Sequence, residues 1–141
     1  MLTTRMWTVA GLTVMCWASG VGLSAPLEPE SERQVVEVTI KDFTFRTNQA
    51  PLRLGRPTVI TVRNEDDQRH DFGTTMFEGI PTTVEQNGVI AYGRGLGGVM
   101  LDAKRDVTIH FSMDRPGRYT FRCSIHPDMQ GELLLLSVEA V

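Results

Sequence analysis

Hydrophobic and polar residues alternate along much of the chain after residue 33, with the period of two that is typical of β-strands. The alternation is clearest in residues 34–40, QVVEVTI, and 106–113, DVTIHFSM. A strand with this period buries one face and exposes the other. The residues predicted to face the core are Val36, Val38, Ile40, Val107, Ile109 and Phe111.

Turn-forming residues separate several further strand-like segments, and no helical periodicity follows residue 33. The final segment, GELLLLSVEA at 131–140, is apolar enough to be buried on both faces. Residues 73–98 are rich in glycine and predict either one short helix or a long irregular loop. About seven or eight short strands predict an all-β sandwich. The further strand-like segments lie within residues 43–57, 58–64, 70–72, 114–123 and 131–140.

The first 25 residues differ from the rest of the chain. They carry one charge, Arg5, followed by an apolar stretch and then small residues. This order is typical of a secretory signal peptide. Since the apolar stretch at 6–23 is just long enough to span a bilayer, a retained single-pass anchor is the alternative. We expect residues 26–33 to form a flexible lead-in and 34–141 to form one domain, exported to the periplasm or held at the outer face of the cytoplasmic membrane.

Composition and charge fit one globular domain. The chain has 141 residues, 41% of them apolar, and a formal net charge of −3 without a basic run. This charge argues against nucleic-acid binding. Beyond residue 25 the only cysteine is Cys123, so an exported domain has no partner for an internal disulfide. The thiol is therefore predicted to be buried and inert, to pair between chains, or to bind a metal.

A cysteine, a histidine and a methionine recur at intervals of three in residues 119–136, YTFRCSIHPDMQGELLLL. Cys123, His126 and Met129 lie in a short loop between two predicted strands. Pro127 stiffens that loop by fixing one φ angle, and Gly131 lets the chain turn into the last strand. The loop can therefore direct all three side chains to one point. A buried cysteine beside an ordinary surface histidine and a core methionine is the alternative.

The three side chains offer a thiolate, an imidazole and a thioether, which suit copper better than zinc, calcium or magnesium. The blue-copper arrangement needs two histidines, one cysteine and a weak axial methionine. Of the three histidines, His70 begins a predicted strand, whereas His110 lies in the middle of one. Because such sites are built at the ends of sandwiches, we predict His70 as the fourth ligand. The alternatives to Met129 as axial ligand are Met76, Met100 and Met113.

Residues 119–135 resemble the copper-binding end of the cupredoxin family, the type 1 blue copper proteins of the amicyanin and plastocyanin kind. The short spacing from cysteine to methionine is most similar to that of amicyanin. Residues 55–72, GRPTVITVRNEDDQRHDF, resemble the segment that supplies the first family histidine. The resemblance covers about residues 35–138 and is weak at 74–100. It implies a Greek-key β-sandwich with a partly irregular insertion around 74–100.

The resemblance also implies one type 1 copper ion as cofactor, bound by His70, Cys123 and His126 with Met129 as the long axial ligand. The family often has Asn after its first histidine, hydrogen-bonded to the residue that follows the ligand cysteine. Here that pair is Asp71 and Ser124, so a carboxylate replaces an amide.

The implied function is the transfer of single electrons between redox partners, such as a cytochrome or a copper or quinone enzyme, by a monomer. His126 would present its ring edge to the partner. We expect no enzymatic activity, because catalytic copper enzymes need further histidine-bound coppers and only His110 remains. The alternatives are a copper storage, delivery or resistance protein with the same ligands and a metal-free interaction module. Membrane contact is expected only if the N-terminal segment is retained.

Overall fold

The computed structural model describes residues 33–49 and 51–136, so the predicted signal or anchor and most of the lead-in lie outside the described residues. Within these ranges, no helix has the length and apolar character needed to cross a membrane. The described chain forms eleven strands: β1 (Gln34–Lys41), β2 (Thr44–Asn48), β3 (Leu52–Arg53), β4 (Pro57–Asn64), β5 (His70–Thr74), β6 (Pro81–Gln86), β7 (Val89–Arg94), β8 (Gly98–Leu101), β9 (Asp106–Ser112), β10 (Gly117–Arg122) and β11 (Gln130–Leu136).

The strands form two mixed sheets. The six-stranded sheet has the order β2-β1-β4-β9-β6-β7, and the five-stranded sheet has the order β3-β11-β10-β5-β8. The pairs β1–β4 and β11–β3 are parallel, and the other pairs are antiparallel. Buried residues from both sheets form one core. The all-β sandwich is therefore confirmed, although it has more strands than predicted, because residues 43–57 and 81–101 divide into short strands.

The strand faces predicted from the alternating pattern are confirmed. The inward residues of β1 are fully buried, and those of β9 are buried to within a few per cent of their surface. Burying an aliphatic side chain of this size contributes about 1.5–3 kcal/mol. These two strands flank β4, so the centre of the six-stranded sheet supplies one wall of the core. The residues concerned are Val36, Val38, Ile40, Val107, Ile109 and Phe111.

The last strand is not buried on both faces, as its composition had suggested. Leu133 and Leu135 are buried, whereas Leu134 and Leu136 are 41% and 40% exposed. The reason is that β11 belongs to an outer layer of a two-layer sandwich, so only one of its faces meets the other sheet. A run of four leucines does not reveal this difference, since both faces have the same composition.

The glycine-rich region contains a hairpin instead of a short helix or a long loop. Strands β6 and β7 pair in antiparallel register and are joined by Asn87 and Gly88. Both linking residues have positive φ, 51° and 77°. Asn-Gly is the preferred sequence for such a two-residue turn. All of β7 is exposed, so its residues lack the alternating burial by which a strand is recognised in sequence.

Gly131 is predicted to be required for close packing of β11 on β10. A Cβ atom at this position would overlap the Cε2 atom of the buried Phe121 ring. Gly131→Ala should therefore lower the free energy of unfolding by about 1–3 kcal/mol in chemical denaturation. Gly93→Ala is the matched control, because a Cβ there meets nothing within 4 Å. Equal stability of the two variants would contradict this packing constraint.

Candidate metal centre

The pairing of β5 with β10 brings the predicted ligands to one end of the sandwich. Arg122, the last residue of β10, lies opposite Gly73 in antiparallel register. Extending this register by one residue past the end of β10 places Cys123 opposite Phe72, two residues after His70 at the start of β5. His126 follows three residues later, in the loop between β10 and β11.

Two backbone hydrogen bonds close the loop that carries Cys123 and His126. The Cys123 amide donates to the Met129 carbonyl oxygen at 3.1 Å, and the Met129 amide donates to the His126 carbonyl oxygen at 2.9 Å. These contacts make a compact turn from Cys123 to Met129, between the end of β10 and the start of β11. The cysteine and the histidine are therefore held by the backbone and not only by their side chains.

Three ligand atoms of the predicted set lie close together. The Nδ1 atoms of His70 and His126 are 3.1 Å apart. The Cys123 Sγ atom lies 3.9 Å from His70 Nδ1 and 3.6 Å from His126 Nδ1. A metal ion with bonds of about 2.0 Å to nitrogen and about 2.3 Å to sulfur separates such atoms by about 3–4 Å. The arrangement therefore fits a three-coordinate metal site.

The site is buried on all but one side. His70 has no exposed surface, Cys123 is 1% exposed, and His126 is half-buried. Water is thereby kept from the sulfur and from the first imidazole. Of the three, His126 is the residue whose side chain reaches the protein surface.

The Asp66 carboxylate fixes the orientation of His70. Its Oδ2 atom lies 3.0 Å from His70 Nε2. It also accepts hydrogen bonds from the backbone amides of Asp42 at 2.7 Å and Phe43 at 3.0 Å. Burial raises the pKa of Asp66, but these hydrogen bonds together hold it below its ordinary value. A carboxylate at Nε2 keeps the proton on that nitrogen and leaves Nδ1 free to bind a metal.

Asp66 belongs to the acidic run Glu65-Asp66-Asp67, but it is not a solvated surface charge. The Asp66 side chain is only 11% exposed, whereas that of Asp67 is 90% exposed. The only feature of the sequence that points to the Asp66–His70 contact is the position of an acidic residue four places before the candidate histidine. That signal is weak, because the neighbouring acids of the same run share the same composition but not the same contacts.

Asp71 ties the start of β5 to the loop after β10. Its amide donates to Cys123 Sγ at 3.4 Å, and its carboxylate accepts from the Ser124 amide at 2.6 Å. Burial raises the pKa of Asp71, but hydrogen bonds from Cys123, Ser124 and Ile125 together lower it. The predicted Asp71–Ser124 contact is therefore present, with a carboxylate oxygen as acceptor.

The remaining candidates lie in different settings. Met129 is 2% exposed and closes the ligand loop, and its axial role stays a prediction. His110 lies on β9 with Nε2 3.2 Å from a Glu85 carboxylate oxygen, outside the His-Cys-His group found in the described residues. Met76 and Met113 are buried in the core, and Met100 is 47% exposed.

Comparisons with known proteins find similarity among solved structures. No family model matches the chain, and no curated protein matches it. A solved multicopper oxidase is similar at a TM-score of 0.51 with 10% identity, over 77% of this chain and 45% of that chain. A mutant of amicyanin in its reduced Cu(I) form at pH 4 matches at 0.49 with 19% identity, over 72% of this chain and 82% of that one.

The multicopper oxidase from Campylobacter jejuni matches at a TM-score of 0.49 with 17% identity, over 80% of this chain and 31% of that chain. At 10% identity, the likeness to the multicopper oxidase with a TM-score of 0.51 is one of fold alone. The grouping of His70, Cys123 and His126 is an observation on this chain's own geometry. The chain therefore combines an all-β fold, similar to that of the solved multicopper oxidase at a TM-score of 0.51, with a group of two histidines and one cysteine at one end of its sandwich.

Proposed function

We propose that the protein binds one copper ion through His70, Cys123 and His126, with Met129 as a weak axial ligand, and transfers single electrons between redox partners. The observation that carries this proposal is the convergence of three ligand atoms within 3.9 Å of one another. Two imidazoles and one thiolate are the trigonal set of blue-copper electron-transfer sites.

The chemistry of the donor set supports copper over other metals. Structural zinc sites are usually closed by four cysteine or histidine ligands. The group in the described residues has three, and the methionine that follows in the loop offers a thioether that zinc rarely takes. Calcium and magnesium prefer oxygen ligands. Bound copper would supply a one-electron couple.

The protein supplies a geometry that needs little change when an electron moves. Asp66 orients His70, and Asp71 holds the cysteine sulfur and the loop amide. Burial of His70 and Cys123 excludes water from the ligands. A site fixed in this way costs little reorganisation, because its dipoles are already in place.

His126 is proposed as the point of electron exchange with a partner. Its side chain is half-buried. Two apolar residues beside it are each 46% exposed: Phe43, whose ring contacts the His126 ring, and Ile125, which precedes His126 in the chain. An apolar surface with one polar ring suits a transient complex with a redox protein, such as a cytochrome or a copper or quinone enzyme. The protein would act as a monomer in an exported compartment.

A copper-handling role with the same ligands is the second candidate. Such a role needs rapid exchange of the metal, whereas two ligands are buried and the loop is closed by two backbone hydrogen bonds. These features favour retention over delivery. An enzymatic role is not proposed, since only His110 remains beyond the proposed ligands.

Copper loading tests the proposed function directly. The protein titrated with Cu(II) should develop an intense thiolate-to-copper charge-transfer band in the visible spectrum, together with a reversible one-electron couple in voltammetry. Cys123→Ala should lose the band, because no other thiolate lies in the His-Cys-His group.

Absence of the band, or a band that survives Cys123→Ala, would refute the type 1 site. Rapid loss of copper to a mild chelator, without a reversible couple, would favour copper handling over electron transfer.

Replacement of single histidines tests the choice of His70. His70→Ala should abolish the blue band, because it removes a buried nitrogen 3.9 Å from the sulfur. His110→Ala is the matched control and should keep the band, since its ring nitrogen lies beside Glu85 on another strand. Absorption spectra of both copper-loaded variants give the answer. The opposite pattern would mean that His110 is the ligand.

A further inference from the structure

Two hairpins of this protein use the same turn with different residues. Asn87 and Gly88 join β6 to β7, and Asp42 and Phe43 join β1 to β2. Both residues of each turn have positive φ, 53° and 55° in the second case. Asn-Gly suits this left-handed conformation, but an aromatic residue adopts it at a cost. The left-handed backbone conformation of Phe43 is therefore unfavourable for a residue with its side chain.

Asp66 offsets this cost from another part of the chain. Its two carboxylate oxygens accept hydrogen bonds from the Asp42 and Phe43 amides at 2.7 and 3.0 Å. The Asp66 amide in turn donates to Asn64 Oδ1 at 3.0 Å, and Asn64 is 1% exposed. The strained turn is thus anchored to a buried polar residue. Backbone strain that is kept in this way often marks a functional position.

The strained turn places the Phe43 ring against both proposed imidazole ligands. The ring centroid lies 5.4 Å from that of His70 and 5.0 Å from that of His126, both at an interplanar angle of 84°. These are favourable edge-to-face contacts. Phe43 is also 46% exposed, so the same residue meets solvent and both rings. A glycine in this turn would satisfy the backbone but would leave the imidazole edges uncovered.

We propose that Phe43 is a positioning residue of the metal site, held over both imidazoles by Asp66 in order to restrain the ligands and slow the loss of the metal. The inference rests on the proposed copper function. His126 is the ligand most affected, because it lies on a loop and is itself half-buried. Without the ring, His126 would rotate more freely and meet water more often.

Phe43→Gly separates this role from a merely structural one. Glycine adopts φ of 55° without a Cβ penalty, so the copper-free variant should keep its melting temperature within about 5 °C of the wild type. The copper-loaded variant should release copper to a chelator about tenfold faster, since two aromatic contacts are lost. Its charge-transfer band should also shift, because the ligand rings are less restrained.

Two further variants serve as controls. Phe43→Tyr keeps the aromatic ring and should release copper at a rate close to that of the wild type. Asn87→Gly changes a positive-φ residue of the other hairpin, at φ of 51°, and should leave copper release unchanged.

The possible failures are distinguishable. If the wild type shows the blue band but Phe43→Gly releases copper at the wild-type rate, this inference is overturned and the proposed function is not. A large fall in the copper-free melting temperature of Phe43→Gly would show that the residue stabilises the fold and would also overturn it. A wild-type protein without the band would overturn both this inference and the proposed function.

Discussion

The hydrogen bonds of Asp71 join two segments that are more than fifty residues apart, and the proposed metal centre depends on them. The amide of Asp71 contacts the Cys123 sulfur, and its carboxylate holds the Ser124 amide. These contacts fix the loop after β10 against the start of β5. As a consequence, His70, the residue before Asp71, meets the cysteine that precedes Ser124. If the loop were free to move away from β5, the His70 and His126 rings and the Cys123 sulfur would not lie together.

Burial and a second carboxylate then determine what the centre can do. His70 is removed from solvent, and Asp66 fixes which of its nitrogens faces the sulfur. In the proposed function, a ligand set held before the metal arrives would favour one geometry in both oxidation states, which is the requirement of rapid electron transfer. The same Asp66 carboxylate accepts a hydrogen bond from the Phe43 amide. Asp66 therefore both orients the His70 ring and holds the turn that places Phe43 against the two imidazoles.

The sequence predicts the parts of this protein that depend on local patterns. Alternation identifies the buried faces of β1 and β9, and the spacing of Cys123 and His126 predicts the two loop residues that lie together with His70. The roles of Asp66 and Phe43 were not predicted, because they depend on a contact between residues 23 positions apart. The β6–β7 hairpin was missed because β7 is exposed throughout and has no buried face. The outer face of β11 was misjudged because a run of leucines has no period.

X-ray absorption at the copper edge of the loaded protein tests the central claim most directly. The account predicts one thiolate sulfur and two imidazole nitrogens bound to the copper, the trigonal ligand set of blue-copper sites. The sulfur signal should disappear in Cys123→Ala. Copper bound only by nitrogen and oxygen in the wild type would contradict the account, since the group of His70, Cys123 and His126 would then not be the metal site.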